Sequence, residues 1–333
     1  MIAAMALTEV PLRSWLAALR GGPAAGPWAE PGSTDVVVID LDADDGEPLS
    51  TLHTGRPVVV LGLTAGDLPH EHRLASVCDA VVQAGDPVVD AIAATVRTHP
   101  IASAAFALLL RGSEHRSADD GLLAESAVYS ALQAGPEFAA WRAGRPAKVR
   151  HEEGPPVVLR RDGDELHVVL HRPHVRNALS SAMRDALVDA FALVHADPSI
   201  TRVHLEGDGA AFCAGGDLDE FGSFDDPASA HLVRVQQSAG RAIDATRDRV
   251  TAHLHGACVG SGIELPAFAA DVVADHSTEI SLPEVSLGLV PGAGGTVSLP
   301  RRIGRHRTAR LGLSGETIDA ATALDWGLVD RLA

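Results

Sequence analysis

Three glycine-rich segments constrain this chain more than any other feature. They are AFCAGGDL (residues 211–218), HGACVGSGIELP (255–266) and LPEVSLGLVPGAGGT (282–296). The first two follow apolar runs that read as strands, one from Val203 and one from Val250. Glycine lets the backbone turn sharply and approach a ligand closely. A helix starting near Asp217 would aim its free N–H groups into the first turn. Glu264 falls on the first turn of a helix opening near Ser261, where the helix dipole favours a carboxylate. Glu284 stands in an apolar setting, and PGAGGT reads as a third glycine-rich helix entry. Each piece alone has a plain structural reading: a strand-to-helix turn, a dipole-satisfying Glu, an edge Glu. In combination they say more. Two turns can each offer a backbone N–H to one developing oxyanion, and two carboxylates can share acid–base work around one bond.

The segments sit in an alternating pattern. Val157–Arg160 and Leu166–Leu170 read as paired strands, and 180–195 as an amphipathic helix capped by Ser180 or Ser181. Asp271-VVAD and Glu279-ISL read as further strands. The repetition predicts an α/β domain over 151–333. Residues 1–150 form a separate N-terminal region. It holds a short helix in LRSWLAALR, buried strands at 35–41 and 56–63, a third strand at 76–82, then helices over 88–111 and 119–143. Pro100 and Gly135-Pro136 break those helices. The stretches GGPAAGPWAEPGS and AGRPAKVRHEEGPP read as linkers.

Composition narrows the function. The 333 residues carry a net charge of −17, with 46% hydrophobic and 21% charged residues, which suits a folded globular protein. The acidity disfavours a nucleic-acid partner. Lys148 is the only lysine, so an anion site must use arginine, histidine or backbone N–H groups. Cys78, Cys213 and Cys258 are too scattered for a disulfide framework or a metal site. The sixteen histidines show no His-Glu-x-x-His spacing, and no metal is expected. The apolar run 101–110 is too short for a bilayer, the N-terminus does not read as a secretory signal, and the expected compartment is the cytoplasm.

Residues 157–333 resemble the crotonase superfamily, the enoyl-CoA hydratase/isomerase family. The matching pieces are LHVVLHRPHVRNAL (166–179), GDGAAFCAGGDL (207–218), HGACVGSGIEL (255–265), LPEVSLGLVPGAGGTVSLPRRIG (282–304) and ALDWGLVDRL (323–332). The resemblance implies a β-β-α spiral fold, an acyl-CoA substrate with no further cofactor, and a homotrimer or homohexamer. It places the oxyanion-binding N–H groups at Gly216 and Ser261, where the family often has Gly or Ala at the second position. It places the hydratase glutamates at Glu264, which would hold and activate water, and Glu284, which would move a proton at C2. Substrate contacts carried over with it are Ala214, Gly215 and Asp217, with Asp217 also readable as a helix cap. Arg172 and Arg176 would contact the CoA phosphates or adenine region, or else are solvated surface arginines. Gly294 and Gly295 would shape the water site, or simply open a helix.

The family's C-terminal helices are missing after the segment resembling ALDWGLVDRL, whereas 77–145 resembles them, in VCDAVVQAGDPVVDAIAATVRTHPIASAAFALLLR and GLLAESAVYSALQAGPEFAAWRAGR. The reading is a helical module displaced to the N-terminal side, packing on its own or a neighbouring catalytic half; the alternative is an unrelated α/β domain. Tyr129, Phe138 and Trp141 then line the substrate pocket or pack in the core. The expected activity is hydration of a 2-enoyl-CoA. The alternatives are another crotonase reaction (isomerisation, thioester hydrolysis or a secondary-metabolism step) and a non-catalytic scaffold subunit.

Overall fold

The structure is a computed structural model describing residues 7–19, 36–44, 46, 56–66, 73–145, 154–223 and 226–333. The stretch 21–33 and most of the second linker, 146–153, lie outside the described residues. The N-terminal part is a parallel sheet in sequential order: β1 (Leu7–Glu9), β2 (Val36–Asp40), β3 (Val59–Thr64) and β4 (Ala80–Gln83). Helix α1 (Leu12–Leu19) follows β1. The continuous Val/Ile/Leu runs of β2 and β3 are buried on both faces, as parallel strands require. One face packs on Trp15, Leu16 and Leu74, and the other joins the main core.

Four helices follow. α2 (Val88–Thr98) and α3 (Pro100–Arg111) meet at a 115° bend, where Pro100 opens the second helix. α4 (Ala118–Gln133) is capped by Ser117, whose hydroxyl accepts from the Asp120 N–H, and α5 (Pro136–Ala143) follows the Gly135 break. No single helix among the described residues is long and apolar enough to cross a membrane.

The second half begins with an antiparallel pair, β5 (Val157–Asp162) and β6 (Glu165–Leu170). It continues through α6 (Ser181–Ala196), capped by Ser180, and β7 (Arg202–Gly207). Next come α7 (Pro227–Gln236), α8 (Ala239–Asp244), β8 (Val250–Leu254), β9 (Ala257–Val259) and α9 (Ser261–Glu264). The chain goes on through β10 (Asp271–Ala274), β11 (Glu279–Ser281) and α10 (Gly295–Ser314), kinked at Gly304. It closes with β12 (Thr317–Asp319), α11 (Ala320–Trp326) and β13 (Arg331–Leu332). A six-stranded sheet runs β13-β10-β8-β7-β6-β5, and a three-stranded sheet runs β12-β11-β9.

Helices α2, α3 and α4 pack along α10 of the same chain, and α4 also packs on α7. One buried apolar cluster therefore runs from Val36 to Val329 across residue 150. Two expectations about helices need correction. No helix starts at Asp217: the carboxylate binds Arg172 and the Asp219 N–H, the chain makes turns through 218–222, and a helix first appears at Pro227. The helix opening at Ser261 lasts one turn before Pro266, which lacks the N–H to continue it.

Candidate active site

The three glycine segments converge on one cleft, lined among others by Gly216, Asp217, Ser261, Glu264, Glu284 and Tyr129 and enclosing ≈ 910 Å³ including solvent at its mouth. The first two segments are tied as short strands. Cys213 and Cys258, both free thiols, pair through their backbones as an isolated β-bridge, and the Val259 N–H donates to the Cys213 carbonyl (3.0 Å). Gly262 lies so close to the Cys213 carbonyl that any side chain there would collide with it. Leu179 pairs with the other side of the first turn, donating to the Gly215 carbonyl (2.8 Å) and accepting from the Asp217 N–H (2.9 Å). Between these bonds the Gly216 N–H has no acceptor among the described residues, and neither has the Ser261 N–H at the start of α9. Both residues line the cleft.

Glu264 is 2% exposed. Its Oε2 accepts from the N–H groups of Ala293 and Gly295, both at 2.8 Å. Glu284 Oε2 is buried with no hydrogen-bond partner. The two carboxylates flank Gly260: a Cβ there would overlap Glu284 Oε1 and stand 3.8 Å from Glu264 Oε1. Gly260 has φ +50°, so glycine serves both the backbone and the space. Burial pushes Glu264 up to about 7, moderated by its backbone donors. Burial also pushes Glu284 well above the usual carboxylate range, and the Glu264 charge adds to it. The two carboxyl groups differ in surroundings, one held by backbone donors and one with an unpartnered oxygen, as an acid–base pair needs.

The other expected contacts fall around the cleft. Gly215 has φ +98° and holds Leu179 through its carbonyl, and Ala214 donates to the Arg176 carbonyl (2.9 Å). Gly295 supports Glu264, whereas the Gly294 N–H donates to Glu125 (2.7 Å). Arg172 is a correction. Its guanidinium is 2% exposed, sits 3.1 Å from Asp217 and donates to the Ala178 carbonyl. It braces the loop from inside and is not free to meet a phosphate. Arg176 is exposed, in the left-handed region at φ +53°, away from the cleft lining. Cleft arginines are instead Arg184 and Arg234, the latter 4.7 Å from the Tyr129 ring centroid. Phe138 stacks on Trp141 (5.5 Å) outside the cleft lining. Burial pushes the Cys213 and Cys258 thiols up, which opposes a nucleophilic role.

Two residues escaped sequence reasoning. Asn177, fully buried at φ +54°, donates to the carbonyls of Asp208, Ala211 and Phe212 and so fixes the first turn. An Asn, a residue type enriched in the left-handed region, within RPHVRNAL was its only trace. Glu125 enters from α4, and a lone Glu in a helix carries no signal. Glu165, His167 and His204 group on the outer sheet face, with ligand-type atoms within 4.8 Å of one another. The two rings stack with planes 21° apart, so their in-plane lone pairs run side by side and do not converge on one ion.

With this geometry in place, comparison with known proteins decides the family. The family model described as Enoyl-CoA hydratase/isomerase matches residues 165–333. The chain belongs to the enoyl-CoA hydratase/isomerase family. It is 35% identical over 173 residues to the 2,3-dehydroadipyl-CoA hydratase of Escherichia coli (strain K12), covering 52% of this chain and 67% of that one. It is 35% identical over 164 residues to a probable enoyl-CoA hydratase of Bacillus subtilis (strain 168), covering 49% and 63%. The crystal structure of enoyl-CoA hydratase from Thermoplasma volcanium GSS1 superposes with a TM-score of 0.51 at 35% identity, over 54% of this chain and 73% of that one. The chain thus spans about two thirds of the length of these curated relatives, and its second half has the crotonase-like α/β fold.

Proposed function

We propose that the chain hydrates the 2,3 double bond of a 2-enoyl-CoA thioester. One observation carries the reading: Glu264 and Glu284 face each other across Gly260 in the cleft that the acceptor-free N–H groups of Gly216 and Ser261 also line. An enoyl thioester resists water until charge can move onto its carbonyl oxygen. Two fixed N–H donors stabilise that developing enolate, by roughly 3 kcal/mol each where such donors have been removed. Glu264, held through Oε2 by Ala293 and Gly295, lines the cleft and is the base for a water there. It takes the water proton as the oxygen bonds to C3, and the pair of electrons moves through C2 to the thioester oxygen. Glu284 then gives its proton to C2 as the enolate collapses. A carboxyl held by two N–H donors suits the base, and one raised by burial with no partner on Oε2 suits the acid. The relatives named as hydratases support the same assignment.

The test is the loss of enoyl-thioester absorbance with crotonyl-CoA, wild type against Glu284→Gln. Hydration lost in the variant supports the assignment. Tight acyl-CoA binding without hydration points to isomerisation or hydrolysis by the same oxyanion site. Absence of both turnover and binding points to a scaffold subunit.

A further inference from the structure

The start of α10 is gripped by two carboxylates in alternation. Four successive N–H groups leave residues 293–296. Those of Ala293 and Gly295 go to Glu264 Oε2, and those of Gly294 and Thr296 go to Glu125 Oε1 (2.7 Å) and Oε2 (2.8 Å). The Thr296 hydroxyl adds a third donor to Glu125 at 2.7 Å. Glu125 is 2% exposed, does not line the cleft, and belongs to α4, which precedes the whole catalytic half in the chain. Gly121, one turn earlier on α4, has room for no side chain: a Cβ would stand 2.7 Å from Val297 Cγ2. Helix α4 is therefore seated closely on the segment that holds Glu264.

We propose that Glu125 is a positioning residue for the reaction, fixing the 293–296 backbone that aims Glu264 and, once ionised on the alkaline side, adding a buried charge that Glu284 feels. This rests on the hydratase reading for what the carboxylates do. Two physical points support it. Burial, with the Glu264 charge, pushes Glu125 itself up to about 8, while the Thr296 hydroxyl and the N–H groups of Thr296 and Gly294 pull it back, so its charge is present on the alkaline side. A buried second carboxylate also opposes ionisation of its neighbours, and Glu284 feels both Glu264 and Glu125. The other charged or titratable groups around the trio include Tyr129 on α4, Arg184 on α6, Cys213 in the first glycine turn and Arg234 on α7. A cap that only held the helix would need one carboxylate; here the two grips alternate, so loss of one re-aims the donors of the other.

The test compares Glu125→Gln, Glu125→Asp and Thr296→Val in the full chain, with urea stability measured alongside. In Glu125→Gln the charge is gone. The alkaline limb of crotonyl-CoA hydration, which reports the Glu284 proton, should move down by about one pH unit, a tenfold loss of proton affinity. Its kcat should fall more than about tenfold while KM changes little. Glu125→Asp keeps the charge and should keep the limb while losing kcat. Thr296→Val withdraws one donor from Glu125 and should move the limb in the Gln direction by less; it decides the question if Glu125→Gln does not fold. Infrared titration of the free enzyme reads the same coupling without substrate. The carboxylic C=O band that vanishes in Glu284→Gln should titrate at lower pH in Glu125→Gln. A shifted band in a wild type that fails to hydrate crotonyl-CoA would sink the reaction reading and leave the coupling standing. Unchanged band and limb in folded variants that lose only urea stability would overturn the proposal.

Discussion

Glu264→Gln should stabilise the protein at alkaline pH while abolishing turnover. The native Glu264 carboxyl is raised from 4.5 to about 7 by burial. A raised carboxyl means the native state holds its proton over a range where the unfolded chain has released it. Native stability then falls as pH rises from the unfolded value through the folded one. At about 1.4 kcal/mol per pH unit, this shift corresponds to about 3 kcal/mol, absent below about pH 4.5 and complete above about pH 7. Gln carries no charge to bury. Its single oxygen can still accept from Ala293 and Gly295, and its amide takes the place of Oε1 on the cleft wall, where water can reach it. Urea denaturation of both proteins at pH 4 and at about pH 8.5 checks the sign. The variant should match wild type at the lower pH and gain about 3 kcal/mol at the higher one. Equal stabilities at both, or a gain independent of pH, would refute the argument that the carboxylate is held against its preference. Such a cost is the usual trade of a working site against a comfortable core.

Two further outcomes follow from the same geometry. Ser261→Pro removes a cleft N–H at the first position of α9, where proline fits a helix. It should lower kcat by about 10²–10³ with the circular dichroism unchanged; full activity would remove Ser261 from the oxyanion site. Arg172→Met strands the buried Asp217 carboxylate and should cost about 3–5 kcal/mol of stability, read by urea denaturation. A selective rise in KM for acyl-CoA at unchanged stability would instead restore a phosphate contact.

Much of the local structure was legible because glycine, proline and apolar period act over a few residues. Pro100 and Gly135-Pro136 divide the helices where the sequence says they should. Ser180 caps α6 through the Met183 N–H, and the runs at β2 and β3 are buried strands. The turn chemistry at 211–218, 255–266 and 282–296 carried the family resemblance, since each turn brings its own backbone donors.

What the sequence alone determined is therefore the set of parts: Glu264, Glu284 and the three glycine turns that meet at one cleft. What only the tertiary structure decided is how distant parts meet. The burial and pairing of Arg172 depend on Asp217, 45 positions away, so its charge read as available when it is spent. The role of Asn177 depends on three carbonyls beyond residue 207. Glu125 reaches backbone donors 169 and 171 positions later, and nothing in a polar helix residue foretells that partner. A buried charge takes its energy from whatever surrounds it, and packing across the whole chain sets those surroundings.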